Sequence, residues 1–282
     1  MRNFRQILAA SAAAALALGL SACSSSADKA DSTNGADASG VVTLKVGASP
    51  SPHAKILKYV DENLAAEAGI DLDIVEYTDY IQPNEALKSG DLDANFFQTV
   101  PYLKQQAEEN GYEFTAGKGI HLEPLAVYSE KLKSLDQLPE GATIGIIDDV
   151  TNQSRALALL AEQGLVTLPT DGSDANVHTV TKVKKFEFKE VQGPQLVRSL
   201  ADVDVAVING NYALKNKLTP SKDALYLESG KDNPYANVLV WNSKANEKTI
   251  EAVKKLDKLL HSKEVSDYIK KTWPDGAVGP SF

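Results

Sequence analysis

The stretch VTLKVGASPSPHAKILKYVDENLAAEAGIDLDIVEY, residues 42–77, alternates two kinds of hydrophobic spacing. Apolar residues recur at every second position in Val42–Ala48, which predicts a β-strand, and residues 71–77 are predicted to form a second strand. Residues 54–68, between them, carry apolar side chains at helical spacing. A strand, a helix and a second strand in this order predict an α/β fold with a mostly parallel sheet.

The same alternation continues along the rest of the chain and predicts two lobes. We expect a first lobe over residues 41–129, a second lobe over residues 130–235, and a return to the first lobe with C-terminal helices over residues 236–282. Two lobes joined by two crossings would form a cleft, where small ligands usually bind. The predicted elements are helices at residues 84–89 (bracketed by Pro83 and Gly90), 101–109, 152–163, 247–261 and 263–272, strands at residues 94–98, 143–147, 203–208 and 238–241, and an apolar stretch at residues 122–128.

The N-terminal segment has the pattern of an export signal. Arg2 and Arg5 precede an uncharged run over residues 7–20, which is shorter than the about 20 residues that a membrane-spanning helix needs. Cys23, the only cysteine, ends the tetrad Leu-Ser-Ala-Cys, which resembles a bacterial lipobox. We therefore expect residues 1–22 to be a signal peptide and Cys23 to be lipidated; the alternative is a secreted protein cleaved between Ser21 and Ala22.

Residues 23–40 are polar and small, without a large apolar side chain, and are expected to form a disordered tether. Removal of residues 1–22 changes the net charge from −9 to −11, because two arginines are lost. An acidic chain of this kind argues against nucleic acid as a partner. Only Arg155 and Arg198 remain among many lysines, and a planar guanidinium suits carboxylate recognition.

Motifs for catalysis and for metal binding are missing from the sequence. It has no phosphate-binding glycine loop and no nucleophile elbow, and its four histidines are scattered. Paired aspartates at 71 and 73, 91 and 93, and 148 and 149 are interpreted as solvated strand edges and turns. We expect no cofactor, no metal and no enzyme activity, although a carboxylate dyad divided between the lobes stays open as an alternative.

Arg155 is the strongest candidate for ligand binding. Thr151 or Asn152 is predicted to cap the following helix, which would place Arg155 in the first turn, where a cation opposes the helix dipole. A bound carboxylate would explain that position. The alternative is that Arg155 pairs with Asp148 or Asp149.

Other polar and aromatic residues group near predicted strand ends. Asn209 and Asn211 follow the strand at residues 203–208, at the edge where α/β sheets bind ligands. The aromatic residues could be either core or an aromatic wall around an apolar side chain, and spacing alone favours core. They are Tyr77, Tyr80, Phe96, Phe97 and Tyr102.

Together these segments resemble the methionine-binding lipoproteins, the substrate-binding components of ABC importers. The resemblance covers residues 42–282 and includes the GAVG tail at residues 276–279. It is carried by YIQPNEAL (80–87), DLDANFFQ (91–98) with PYLKQQ (101–106), HLEPLAVYS (121–129), TNQSRAL (151–157), AVINGNYA (206–213) and PYANVLV (234–240).

The resemblance implies a two-lobed type II periplasmic-binding-protein fold with the ligand cleft between the lobes. By position, Arg155 would clamp the ligand carboxylate, and Asn209 and Asn237 would bind its ammonium and carboxylate end. The thioether pocket would be formed by Tyr80, Phe97 and Tyr102. Thr99 stands where the family commonly has histidine, and Phe96 replaces a small residue, so the resemblance predicts the fold more firmly than the ligand.

The implied protein is a monomer anchored by lipid to the extracytoplasmic face of the cell membrane. It would capture L- or D-methionine, or a closely related amino acid, for an ABC permease and its ATPase subunits. The alternatives are an envelope hydrolase and a surface lipoprotein that binds a macromolecular partner.

Overall fold

A computed structural model describes residues 40–173 and 175–282. The predicted signal peptide, the lipidation site Cys23 and the tether up to residue 39 lie outside the described residues. Within the described ranges, no helix is both long and apolar enough to cross a membrane.

The helices and strands follow the predicted alternation, with additional short elements. The strands are β1 (Val42–Ala48), β2 (Ile70–Glu76), β3 (Ala94–Thr99), β4 (Phe114–Leu122), β5 (Ala126–Tyr128), β6 (Ala142–Ile147), β7 (Val166–Thr167), β8 (Thr181–Lys182), β9 (Phe186–Val191), β10 (Val205–Ile208), β11 (Ala224–Leu227), β12 (Asn237–Asn242) and β13 (Gly279–Pro280). The helices are α1 (His53–Val60), α2 (Gln82–Ser89), α3 (Val100–Asn110), α4 (Val150–Glu162), α5 (Leu196–Ser199), α6 (Gly210–Lys215), α7 (Pro220–Asp223), α8 (Glu247–Leu260) and α9 (Lys263–Thr272).

Each lobe is built on one mixed sheet. The first sheet has the order β13-β4-β12-β3-β1-β2, in which β1 is parallel to β2 and β3, whereas the other neighbours are antiparallel. The second has the order β11-β5-β10-β6-β9, with β6 parallel to β9 and β10, and β5 antiparallel to β10 and β11. The expectation of a mostly parallel sheet is therefore wrong, because strands such as β12 enter their sheet from the opposite lobe.

The chain passes between the lobes twice. Strand β5 pairs within the second sheet, so the first crossing comprises residues 123–125 and lies before residue 126, not after Tyr128 as expected. Pro124 lacks an N–H and divides the apolar stretch between two sheets. The second crossing comprises residues 228–236, and the N–H of Glu228 donates to the carbonyl of Leu125 at 2.9 Å, which ties the two crossings together.

Separate hydrophobic cores support the two lobes. In the first lobe, α1, α8 and α9 pack on the sheet around Leu44, Ile56 and Leu256. In the second lobe, α4 packs on its sheet through Leu157 against Ile144. Since each fully buried aliphatic side chain contributes about 1.5–3 kcal/mol, each core holds its half of the cleft in a fixed shape.

Candidate functional site

A cleft lies between the lobes, and side chains from both lobes and from the first crossing line it. It has an aromatic end and a polar end. All residues that the sequence analysis named for ligand binding line this cleft: Arg155, Asn209, Asn237, Tyr80, Phe97, Tyr102 and Thr99.

Arg155 lies in the second turn of its helix. Helix α4 begins at Val150 because the carboxylate of Asp149 caps it and accepts the N–H of Asn152 at 2.9 Å. Arg155 is thus the sixth helical residue, and the expected cap at Thr151 or Asn152 and the first-turn position are wrong. The helix dipole therefore does not oppose the charge of Arg155, since that effect is confined to the first turn, and it gives no reason to expect a bound carboxylate there.

The partner of Arg155 is a glutamate that the sequence analysis did not consider. Its Nε and Nη2 donate to the two carboxylate oxygens of Glu228 at 2.8 and 2.5 Å, in the paired geometry typical of guanidinium and carboxylate. The expected alternative, pairing with Asp148 or Asp149, is wrong because Asp149 is engaged as the helix cap.

Two more contacts fix the guanidinium. Nη2 of Arg155 also donates to the backbone carbonyl of Glu123 at 3.0 Å, and the ring of Tyr235 lies 4.3 Å from the guanidinium carbon. Arg155 is 5% exposed. The remaining nitrogen, Nη1, makes no hydrogen bond to any residue that the structure describes, so it is available to an anion in the cleft.

A cluster of two histidines, a glutamate and an asparagine continues the polar end. Nε2 of His121 lies 2.8 Å from Oε1 of Glu123, and Nε2 of His53 lies 3.4 Å from the same oxygen. Nε2 of His53 also lies 3.0 Å from Oδ1 of Asn237, whose Nδ2 donates to Oε1 of Glu123 at 3.4 Å. The two histidines are scattered in the sequence, but the sheet and α1 bring them together.

Burial controls the charges in this cluster. It lowers the pKa of His53 to about 4 and that of His121 to about 3, so both imidazoles are neutral at pH 7. It raises the pKa of Glu123 to about 7, against the opposing influence of His53 and Arg155. Because both Nε2 atoms face the carboxylate, the hydrogen-bond pattern places the proton of each ring on Nε2.

The same side chains form a potential metal-ligand set. Single donor atoms of His53, His121 and Glu123 lie within 4.8 Å of one another. Two imidazoles and a carboxylate are ligands that zinc accepts. No metal is expected from the sequence, because no His-x-x-x-His spacing indicates this grouping.

The asparagines after β10 come from the second lobe. Nδ2 of Asn209 donates to Oδ1 of Asn152 at 2.7 Å, which leaves its own Oδ1 buried in the cleft. Oδ1 of Asn211 accepts from the hydroxyl of Tyr80 at 2.5 Å. This last hydrogen bond joins the two lobes across the cleft.

The aromatic end is formed by three rings that line the cleft and by a fourth that packs on one of them. Tyr80 lies 6.0 Å from Phe97 and 5.8 Å from Tyr102 between ring centroids, and it stacks on Tyr212 of the second lobe at 4.9 Å. Phe96, the neighbour of Phe97, points to the opposite face of β3 and is buried in the first core beside His53. Of the two roles expected for the aromatic residues, Phe96 is therefore part of the core and Phe97 is part of the cleft wall, as the alternation of side chains along a strand requires.

Thr99 joins the two ends of the site. Its hydroxyl caps α3 and accepts the N–H of Tyr102 at 3.4 Å, while its side chain lines the cleft. Its capping role suits a small hydroxyl residue. The sequence analysis missed Glu123, Glu228, His53 and Tyr212, although a glutamate within the apolar run 122–128 was a visible signal.

Two α/β lobes, two crossings and a polar cleft define a two-lobed protein with a periplasmic-binding-protein-like fold. The family model for NlpA lipoproteins matches residues 44–282. The chain belongs to the NlpA lipoprotein family.

Individual relatives are similar over most of their length. The methionine-binding lipoprotein MetQ of Bacillus subtilis is 42% identical over 256 residues, covering 88% of this chain and 91% of that protein. A solved structure from Actinomyces odontolyticus is 64% identical with a TM-score of 0.83, covering 85% of this chain and 99% of that one. A nutrient binding protein from Burkholderia cenocepacia, solved with methionine bound, is 41% identical with a TM-score of 0.79, covering 85% and 100%.

Proposed function

We propose that this protein is the extracytoplasmic substrate-binding component of an ABC importer and captures methionine, L or D, or a closely related amino acid. The observation that carries the proposal is the cleft itself, which combines a fixed guanidinium with an aromatic wall. Family membership and a methionine-bound relative support the same ligand class.

Arg155 would bind the ligand carboxylate through Nη1. Its other nitrogens are already held by Glu228 and by the carbonyl of Glu123, so the free nitrogen keeps a fixed direction. A side chain fixed before binding loses little entropy when the ligand arrives. This arrangement supports recognition of an anion rather than a purely structural ion pair.

The aromatic end would hold the ligand side chain. Burial of one apolar side chain contributes about 2–3 kcal/mol, and hydrogen bonds to a charged group contribute about 1.5–3 kcal/mol. Micromolar affinity needs about 8 kcal/mol. Both ends of the cleft are therefore required, and neither suffices alone.

The remaining parts of the proposal concern the chain outside the cleft. Lipidation of Cys23 would anchor the protein to the outer face of the cell membrane, and residues 24–40 would give the lobes reach toward a permease and its ATPase subunits. The protein would act as a monomer that binds without chemical conversion. Multiple acyl chains anchor stably, whereas one chain alone holds only marginally.

Mass spectrometry of small molecules released by denaturing the purified protein tests the proposal. Methionine or a close relative is expected in near-equal molar amount to the protein, and adding L- or D-methionine should raise the melting temperature of the emptied protein. A screen in which no amino acid raises the melting temperature would contradict the proposal and favour a macromolecular partner. Turnover of the bound compound would instead favour a hydrolase.

A further inference from the structure

Three buried amide side chains form a closed hydrogen-bond network beside the aromatic end of the cleft. They are Asn84 of α2 and Asn95 and Gln98 of β3, and each is at most 2% exposed. Asn84 and Gln98 exchange two hydrogen bonds, Nδ2 to Oε1 at 3.0 Å and Nε2 to Oδ1 at 2.8 Å. Nε2 of Gln98 also donates to Oδ1 of Asn95 at 2.9 Å, and Nδ2 of Asn95 donates to Oδ1 of Asn84 at 2.9 Å. Each side-chain nitrogen and oxygen of the three amides therefore has a partner.

A satisfied amide network fixes one arrangement of the parts that it joins. Apolar side chains of the same shape could replace such a network at little cost in stability, because both partners of each hydrogen bond would disappear together. A core without directional bonds, however, tolerates several packings before it loses stability. The main consequence of this network is therefore the relative position of α2 and β3.

A β-bulge brings Gln98 to the same side of β3 as Phe97. Neighbouring residues of β12 pair with Gln98 and with Phe96, which leaves Phe97 as an extra residue in β3. A bulge interrupts the alternation of side chains along a strand, and both Phe97 and Gln98 line the cleft. The amide network thus holds the bulged segment that presents the Phe97 ring.

The same network holds the start of α2, which follows Tyr80 in the chain. Nδ2 of Asn95 donates to the backbone carbonyl of Pro83 at 3.0 Å as well as to the side chain of Asn84. Pro83 and Asn84 lie in the first turn of α2, three and four residues after Tyr80. The carbonyl of Tyr80 is held separately by the hydroxyl of Tyr102 at 2.9 Å. Tyr80 and Phe97 therefore belong to two segments that the amides bond to each other.

We propose that the amide network of Asn84, Asn95 and Gln98 sets the separation of the Tyr80 and Phe97 rings and thereby selects the bound amino acid by the size of its side chain. The inference rests on the proposed function. The two ring centroids are 6.0 Å apart. Among the described residues that line the cleft, Gln98 is the one member of the network, so Asn84 and Asn95 are positioning residues.

A wall of fixed width discriminates between side chains of different size. A side chain that fills the space gains the full apolar contact with both rings. A larger side chain must push the rings apart, and the hydrogen bonds behind them resist that movement. A wall held only by apolar packing would adapt to both side chains and would discriminate less.

Three amino acids test the discrimination in the full-length protein after carried ligand is removed by reversible unfolding. Calorimetry compares L-methionine with L-ethionine, which has one more methylene, and with L-alanine, which does not reach the aromatic wall. The wild-type protein is expected to bind methionine at least about tenfold more tightly than ethionine. Equal affinities for methionine and ethionine in the wild-type protein would overturn the inference.

The variant Asn95→Leu tests the network without changing a residue that lines the cleft. It keeps the approximate size of the side chain and removes three hydrogen bonds of Asn95. Methionine is expected to bind about tenfold more weakly, the preference for methionine over ethionine should fall at least about threefold, and alanine should bind as in wild type. Equal losses for all three amino acids would mean a purely structural role and overturn the inference.

A second variant and a matched control complete the test. Gln98→Met places an unbranched side chain of similar length in the network and should reduce the same preference, which keeps the test valid if Asn95→Leu does not fold. Gln153→Leu removes a buried amide of the second lobe that bonds to the carbonyl of Ile147 and to Glu190. This control should lower the melting temperature and keep the preference for methionine. A preference that falls equally in the control would overturn the inference.

The wild-type protein separates this inference from the proposed function. A wild-type protein that binds no amino acid would overturn both. One that binds methionine and ethionine alike would overturn the inference and leave the proposed function standing.

Discussion

The polar and aromatic ends of the cleft are built on different principles. At the polar end, Arg155, Glu228 and Glu123 are held by hydrogen bonds and each charge faces an opposite one or a set of donors. At the aromatic end, Tyr80 and Phe97 are held mainly by ring packing, and the hydroxyl of Tyr80 adds a hydrogen bond to Asn211. From this difference we expect the polar end to determine which class of molecule binds and the aromatic end to tolerate variation in the ligand side chain.

The largest loss of ligand affinity is expected from substituting Arg155 at the polar end of the cleft. Arg155→Ala should weaken methionine binding by about 1,000-fold, because truncating one partner of a hydrogen-bonded charge pair buried at a binding interface costs about 2–5 kcal/mol of affinity. Calorimetry measures the affinity, and circular dichroism checks that the protein is folded. Arg198→Ala, which removes an exposed arginine of the second lobe, should bind normally. Undiminished affinity in Arg155→Ala would refute the carboxylate clamp.

The aromatic end should give a smaller and more selective effect. Phe97→Ala removes about 2–3 kcal/mol of apolar contact, so methionine should bind about 50-fold more weakly. Alanine, which cannot reach that wall, should bind both forms alike in a competition assay. Phe282→Ala is the control, since the ring of Phe282 is 48% exposed. A uniform loss for both amino acids in Phe97→Ala would contradict the division between the two ends.

Acidic pH should weaken ligand binding through the polar end of the cleft and leave the contacts at the aromatic end unchanged. The pKa of Glu123 in the empty cleft is about 7. The ammonium of a bound amino acid would favour the ionised form of Glu123, so below pH 7 the glutamate must lose a proton when the ligand binds. The affinity therefore falls by up to about tenfold per pH unit. From pH 8 to pH 5.5 methionine should bind about 30-fold more weakly.

The other groups that face Glu123 do not interfere in this window. His53 and His121 stay neutral because their pKa values are about 4 and 3, and the guanidinium of Arg155 stays charged. Calorimetry at a series of pH values measures the effect, and Glu123→Gln should flatten the profile. A wild-type affinity that is constant from pH 8 to pH 5.5 would contradict the pKa of Glu123 as the cause.

The smallest effect should come from the contact that closes the lobes over the polar end. A methyl group in Gly210→Ala would collide with Glu123, since its position lies 2.7 Å from Cβ of that residue. Overpacking of this size costs about 1–3 kcal/mol, so affinity should fall about tenfold. Gly279→Ala adds a methyl group to open space and is the matched control. Equal calorimetric affinities for the two variants would show that closure tolerates the added methyl.

Local patterns predicted most of the scaffold. Gly90 ends α2 with a φ of 85°, a conformation that glycine favours, and the period-2 spacing of β1 matches the strand. Strand β4 escaped prediction because Lys118 and two neighbouring glycines interrupt the alternation of apolar residues at 114, 116, 120 and 122. The end of the first lobe was misplaced because one largely apolar stretch, residues 122–128, supplies strands to two different sheets.

The site was predictable only where a residue type is unusual by itself. Arg155 stood out among many lysines, but its partner Glu228 is 73 positions away and no local signal links the two. His53 and Glu123 meet through the tertiary fold, and neither has a characteristic spacing. The choice of Asp149 over Thr151 or Asn152 as the helix cap also depended on the fold, since all three side chains can cap.

Arg155 holds the two crossings between the lobes together. It bonds to the carbonyl of Glu123 in the first crossing and to the carboxylate of Glu228 in the second. We therefore expect ligand binding and closure of the lobes to be coupled, because the side chain that would bind the ligand carboxylate also fixes the two crossings to each other. Substitutions at Glu228, which lies behind Arg155 as seen from the cleft, should then change the dissociation rate of the ligand first. A permease could trigger ligand release by separating the two crossings alone.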